Sequence, residues 1–377
     1  MNANSQRWDI FCAVIDNFGD IGVCWRLARQ LAAEHGLEVR LWVDDLARLQ
    51  SLNPDIDANR EFQTSLGVEI RRWAADFGEA EAADVVIEAF GCPLPERYEA
   101  AMAKRETPPV WINLEYLSAE AWVESCHALP SPHPRLKLTK YFFFPGFTPA
   151  TGGLLRENGL LDARDAFRAS PQAFRQSLAL PPADPQEILA SLFCYDTAPI
   201  GELLTAWEAS SRPVRCLLPA GKALPQAAKH FDVDTLHAGN VLQRGNLTLH
   251  VLPFLPQDDY DRLLWLCDLN FVRGEDSFVR AQWAARPLVW HIYPQEDDAH
   301  RPKLDAFLDL YCLLLPEPAL SAMRDFHLGW NHFGDIAWES FLAHRNAFER
   351  NATAWAEHFS GEPDLASKLV IFCKNRV

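Results

Sequence analysis

The chain has 377 residues, 49% of them hydrophobic and 11% aromatic, which allows two domains with separate cores and excludes a disordered polymer. Its 51 acidic against 35 basic residues leave a formal charge of −16, which disfavours nucleic acid and anionic membranes as partners and favours a cationic one. Nine cysteines fall with no CxxC and no pairing rhythm, the start MNANSQRWDI has no apolar leader core, and no run of 18 apolar residues occurs, so a soluble protein in the reducing cytoplasm is expected.

The residues Asp9 to Ile15 form an apolar run without alternation, the pattern of a parallel strand covered on both faces. The loop Asp16 to Gly22 follows, then a helix from about Val23 to His35 with apolar residues at Leu27, Ala28 and Leu31 and a stop at Gly36. Strands are expected at Glu38–Val43, Val68–Arg71, Val85–Ala89 and Val110–Leu114, with a helix over Pro95–Arg105. This alternation predicts a parallel, doubly wound sheet. The stretch from Pro130 to Pro149 breaks the pattern, although Tyr141 to Phe144 suits a buried strand. A helix over Ala163–Ala179 leads to Pro181-Pro182-Ala183-Asp184-Pro185, the expected linker.

Beyond the linker the alternation restarts, with strands at Ile188–Phe193, Val214–Leu218 and Leu247–Val251 and helices at Ile200–Ala209 and Asp258–Cys267. A strand over Leu269–Val272 then opens into the acidic loop Glu275-Asp276-Ser277, a helix over Phe278–Ala285, and a strand over Leu288–Ile292 that ends in Tyr293-Pro294-Gln295. Helices around Ile336–Ala354 and Leu365–Lys374 close the chain. The expected fold class is α/β: two Rossmann-like, doubly wound domains in series, facing across a cleft, with a boundary at residues 180/181. Ligands of such sheets bind beyond the carboxyl ends of the strands.

Two loops at those ends carry the chemistry. A helix N-terminus after Glu275-Asp276-Ser277 offers backbone N–H groups that suit a pyrophosphate, while carboxylates beside it suit sugar hydroxyls, so this loop points to a nucleotide sugar. In the first half the sequence DNFGDIG stands where a dinucleotide fold has GxGxxG. Asp16 and Asp20 there repel a pyrophosphate and suit a cationic acceptor or a general base, with a turn or helix-cap role for Asp16 as the alternative. Tyr195, at a strand end, has a hydroxyl to satisfy; Phe193 suits the core equally well. Phe254 and Gln257 lie where a strand gives way to a helix, a place for a planar base, for core packing or for capping. Glu275 is expected outside the helix cap, and Asp276 and Ser277 also suit plain caps. Trp290 and His291 suit core positions, and Arg280 and Trp283 carry no assignment. The formal DxD strings Asp55-Ile56-Asp57 and Asp232-Val233-Asp234 sit in polar connections and suit solvent better than a metal.

The strings IFCAVIDNFGDIGVCWRLARQL, LFCYDTAPIGELL and LPFLPQDDYDRLLWLCDLNFVRGEDSFVRAQWAARPLVWHIYPQ resemble the protein-arginine rhamnosyltransferases of elongation factor P, and the likeness runs over essentially the whole chain. The resemblance implies a GT-B glycosyltransferase whose first domain, residues 1–180 completed by a C-terminal helix at about 360–377, receives elongation factor P. It implies a second domain, residues 181–359, that binds the donor. Rhamnose would pass from dTDP-β-L-rhamnose to an arginine nitrogen with inversion and without a metal or other cofactor, activating the factor for ribosomes stalled at polyproline. Residue by residue, it implies Asp20 as general base supported by Asp16, and an acceptor contact through Asn17, Phe18, Gly19 and Asp20. It also implies Glu275 at the transferring sugar, Asp276 and Ser277 on the sugar or diphosphate, Phe193 and Tyr195 at ring and phosphate, Phe254 and Gln257 at the thymine, and Tyr293 at the diphosphate. Two rivals remain: a GT-B transferase with another donor or acceptor, and a non-catalytic nucleotide-sugar sensor.

Overall fold

The structure is a computed structural model that describes residues 6–16, 18–74 and 77–376, and it divides into two compact units. Unit 1 comprises residues 1–158 and 361–377, and unit 2 comprises residues 159–360.

In unit 1 the strands are β1 (Arg7–Cys12), β2 (Glu38–Val43), β3 (Phe62–Ser65), β4 (Val68–Arg72), β5 (Val85–Ala89), β6 (Val110–Leu114), β7 (Pro130–Pro132) and β8 (Thr139–Phe143). They form one sheet in the order β3-β4-β2-β1-β5-β6-β8-β7, parallel except for the two edge strands. The helices are α1 (Gly19–His35), α2 (Leu46–Leu52), α3 (Glu96–Lys104) and α4 (Trp122–Cys126). The chain enters mid-sheet at β1, winds outward through β2 and β4, then crosses back to β5. That reversal makes the edge beyond β1 and β5 the natural ligand crevice.

Helix α1 begins four residues before the expected Val23, because Gly19 N–H bonds the Asp16 carbonyl and Gly22 N–H that of Phe18. Burial of Ile21 offsets the poor helix propensity of the two glycines. The consequence is that Asp20 sits inside the first helical turn. At the other end Gly36, at φ +63°, takes the left-handed conformation that closes the helix on Leu31.

The middle of this sheet holds a buried ion pair. Asp9 and Arg40 are cross-strand neighbours on β1 and β2, and the guanidinium binds the carboxylate at 2.6 and 2.5 Å. The Tyr98 hydroxyl of α3 also donates to Asp9, and Arg40 reaches the Glu81 carbonyl at 2.7 Å. Every charge taken from water here is hydrogen-bonded, the condition on which such a pair is tolerated.

Unit 2 has β9 (Ile188–Leu192), β10 (Val214–Pro219), β11 (Val241–Arg244), β12 (Leu247–Leu252), β13 (Leu269–Arg273) and β14 (Leu288–His291), in the order β11-β12-β10-β9-β13-β14. All neighbours pair in parallel except β11 with β12, and the reversal falls between β9 and β13. Its helices are α5 (Leu160–Ala169), α6 (Gln172–Ser177), α7 (Ile200–Glu208), α8 (Leu224–His230), α9 (Gln257–Leu266) and α10 (Asp276–Trp283). They continue with α11 (Arg301–Tyr311), α12 (Ala319–Trp330), α13 (Trp338–Ala343) and α14 (Arg345–Ser360). The last helix, α15 (Leu365–Lys374), belongs to unit 1, where Gln30 of α1 donates to its capping residue Asp364 at 3.0 Å.

The expected boundary at 180/181 is corrected to 158/159. The single helix expected over Ala163–Ala179 is two, interrupted at Pro171, and both pack on unit 2. Arg168 donates to the carbonyls of Ala284 and Trp265, Arg164 to that of Trp283, and the Phe167 ring meets Trp265 at 5.7 Å. Such side-chain-to-carbonyl bonds leave no periodic trace in a sequence. Among the described residues no helix is long and apolar enough to cross a membrane.

Replacing Arg40 by alanine leaves Asp9 fully buried without its counter-charge and should cost about 3–5 kcal/mol. Urea unfolding followed by tryptophan fluorescence checks this, and a loss below about 1 kcal/mol, the range of an exposed pair, contradicts it.

Candidate active site

In unit 1 the loop after β1 spends its amides on carboxylates. Val14 N–H donates to Asp44 Oδ1, and the N–H groups of Ile15 and Asp16 both donate to Asp20 Oδ2, each at 2.9 Å. These are the groups a dinucleotide fold would turn toward a pyrophosphate, and here they are occupied. The second oxygen of Asp20 accepts the Tyr116 hydroxyl at 3.0 Å. The Tyr116 ring is fixed by stacking on Phe90, centroids 4.4 Å apart and planes 18° apart.

Asp20 is only 1% exposed, and burial raises its pKa above the ordinary carboxylate value, with a smaller push from Asp16. The two amides and the Tyr116 hydroxyl oppose that rise by stabilising the ionised form. The result is a rigidly held carboxylate that can orient a cation. Asp16 is half-buried and holds the turn through its own backbone. Phe18 lies under the Arg48 guanidinium at 5.5 Å, and Gly19 is the first helical residue. Asn17 lies outside the described residues.

Unit 2 gathers its residues at the carboxyl ends of β9, β12, β13 and β14. Gly274, at φ +59°, turns β13 into α10, and the Trp290 indole N–H braces that turn by donating to the Gly274 carbonyl at 3.0 Å. Trp290 is itself stacked on Phe278 at 4.0 Å, so its core role is structural support for the loop. Glu275, expected outside the cap, is the N-cap residue of α10, and it makes no side-chain cap bond. Its backbone carbonyl accepts Val279 N–H at 3.0 Å, and the residue is 6% exposed. Ser277 donates its hydroxyl to the Arg273 carbonyl and accepts the Arg273 N–H, locking strand to helix. Asp276 accepts the Gln257 amide at 3.1 Å, which joins the first turns of α9 and α10. Phe254 is half-buried three residues before α9.

Arg273, unassigned in the sequence reading, is the cation of this cluster. Its guanidinium carbon lies 4.5 Å from the Tyr195 ring centre and 4.6 Å from that of Phe193. The side chain is 6% exposed, and its buried Nη1 has no hydrogen-bond partner among the described residues. A buried donor left unmade is costly unless a ligand completes it. Tyr195 also meets Tyr293, which is 49% exposed, edge-on at 5.5 Å. Arg280 is tied to Asp261 by two bonds of 3.1 and 2.7 Å and so serves the core, as does the buried Trp283. Among the described residues no group of three or more His, Cys, Asp or Glu is arranged to hold a metal ion.

The family model for elongation factor P rhamnosyltransferase EarP matches residues 8–374. The chain belongs to this family. The protein-arginine rhamnosyltransferase of Pseudomonas putida is 50% identical over 372 residues, 98% of either chain, and that of Pseudomonas aeruginosa is 51% identical over 369 residues, covering 97% of this chain and 98% of its own. A solved structure concerning EarP-mediated arginine glycosylation of translation elongation factor EF-P shares 38% identity at a TM-score of 0.71, over 99% of this chain and 100% of its own. MurG of Acinetobacter baumannii, at 14% identity and a TM-score of 0.52, shows the same GT-B fold. The protein is therefore a GT-B glycosyltransferase.

Two members of the site escaped the sequence. Tyr116 follows β6 by two residues, at the sheet's carboxyl edge, the one signal that could have found it. Arg273 ends an apolar strand, where only its stacking reveals its use. Tyr116→Phe removes a donor to ionised Asp20, so the carboxyl pKa should rise further. A ¹³C-carboxyl NMR titration checks this, and an unchanged or lower value contradicts the contact.

Proposed function

We propose that this protein transfers a rhamnosyl group from dTDP-β-L-rhamnose to a side-chain nitrogen of one arginine of translation elongation factor P, with inversion at the sugar. Unit 2 is the donor half and unit 1 the acceptor half. The observation that carries the reading is the loop after β1, whose amides are spent on Asp44 and Asp20 and which offers a buried carboxylate in place of a phosphate cradle. The curated Pseudomonas relatives, named as protein-arginine rhamnosyltransferases, support the acceptor and sugar class.

A guanidinium stays protonated at any ordinary pH and is a poor nucleophile in that state. Asp20 therefore orients the acceptor nitrogen and takes its proton as the N–C1 bond forms and the bond from C1 to the diphosphate oxygen breaks. Asp16 supports that carboxylate, and Phe18, Gly19 and the adjoining Asn17 line the acceptor. The departing diphosphate gathers negative charge, which Arg273 and the N-terminus of α10 offset, with Tyr195 and Tyr293 beside them. Glu275 and Asp276 take sugar hydroxyls. Ser277 contributes through its backbone N–H, since its hydroxyl is engaged with Arg273. Phe254 stacks on the thymine, Gln257 meets its edge, and Phe193 borders the phosphate side. In this reading the charge is handled by protein groups, so the transfer needs no metal. Its acceptor is a translation factor, which sets the reaction in the cytoplasm.

Intact-mass analysis of elongation factor P incubated with this protein, dTDP-rhamnose and a chelator tests the reading. The expected result is a gain of one deoxyhexose, absent when the acceptor arginine is lysine. No gain, with dTDP still bound by the protein, rejects the acceptor or the sugar; a gain abolished by the chelator alone rejects metal independence.

A further inference from the structure

His291 ends β14 as the cross-strand partner of Arg273, so both side chains leave the same face of the sheet at its carboxyl edge. The imidazole is 1% exposed and packs on Tyr195 at 5.4 Å and on Trp330 at 5.8 Å. Its Nδ1 accepts the Tyr195 N–H at 3.2 Å. In a neutral ring that bond puts the proton on Nε2. Burial first, then the neighbouring His332, Arg273 and His300, push its pKa down to about 3, so the ring is neutral under working conditions. Nε2 has no hydrogen-bond acceptor among the described residues. Of the groups that press on the ring, Arg273 is the permanent cation, and it makes the space beside the ring favour an anion.

We propose that His291 is a ligand-binding residue whose Nε2–H donates to the diphosphate of the nucleotide donor, alongside Arg273. This rests on the reading of unit 2 as the nucleotide-sugar site and deepens it. A fixed tautomer gives a donor that neither titrates nor rotates, while Arg273 supplies the charge. The same Nδ1 bond sets the peptide between Cys194 and Tyr195, so one side chain both shapes the loop after β9 and contacts the ligand.

Two substitutions separate those tasks, because asparagine presents its amide near the Nδ1 position and glutamine near Nε2. His291→Asn keeps an acceptor for Tyr195 N–H and loses the outward donor; His291→Gln keeps the donor. Calorimetric titration of the full chain with dTDP should show His291→Asn weakened about ten- to hundredfold, as for a hydrogen bond to a charged group, and His291→Gln within about threefold of wild type. Thymidine, followed by ligand-observed NMR, should bind all three alike, and melting curves confine the comparison to folded protein. If His291→Asn binds dTDP as wild type does, or better than His291→Gln, the side chain serves only the loop and the proposal is overturned. If wild type itself fails to bind dTDP, the donor reading falls and takes this inference with it.

Discussion

The site in unit 1 depends on how Asp20 is held. A carboxylate with 1% exposure would protonate or turn away if it had only water to lose. Two consecutive backbone amides and one phenolic hydroxyl oppose that protonation and keep it aimed. The loop that provides the amides is also the loop that would otherwise bind phosphate, so one set of bonds both creates the carboxylate site and removes a rival anion site. Tyr116 in turn depends on Phe90, a residue at φ +58° just beyond β5, for its ring plane. The edge of the sheet beyond β1, β5 and β6 thus works as a unit.

Unit 2 inverts that electrostatic arrangement on the same topology. At its own strand-order reversal stands a buried arginine, stacked on two aromatic rings and short of one hydrogen-bond partner among the described residues, beside the first turn of a helix. One unit therefore presents a fixed anion and the other a fixed cation with donors. A transfer from a nucleotide sugar to a cationic side chain calls for that division, since the acceptor needs a negative partner and the departing diphosphate a positive one. The net charge of −16 is consistent with a cationic acceptor, which it would help to attract rather than bind tightly.

Much of this was legible in the sequence where apolar runs are bounded by turn residues. Strands β2, β5 and β6 and helix α15 have the expected bounds, because buried parallel strands and a capped helix write themselves in composition. The edge strands β3 and β11 were not seen, since their half-exposed residues carry little apolar signal. The proline-rich stretch at 181–185 drew the boundary there, while arginine-to-carbonyl bonds put it at 158/159. The acids of DNFGDIG pointed to the right loop, yet which of them is buried is decided by a tyrosine 96 positions away. His291 suited the core and does lie there, but its tautomer, set by one amide, is a fact of geometry alone.

The most direct test of the division of labour is Asp20→Asn, assayed for transfer to elongation factor P and for dTDP binding on the same preparation. The substitution keeps the side chain's shape and removes the carboxylate proposed to take the proton. The account predicts transfer lost by about a hundredfold or more, with dTDP affinity unchanged within a few-fold. Retained transfer would contradict Asp20 as the base, and joint loss of transfer and dTDP binding would make it a structural residue instead.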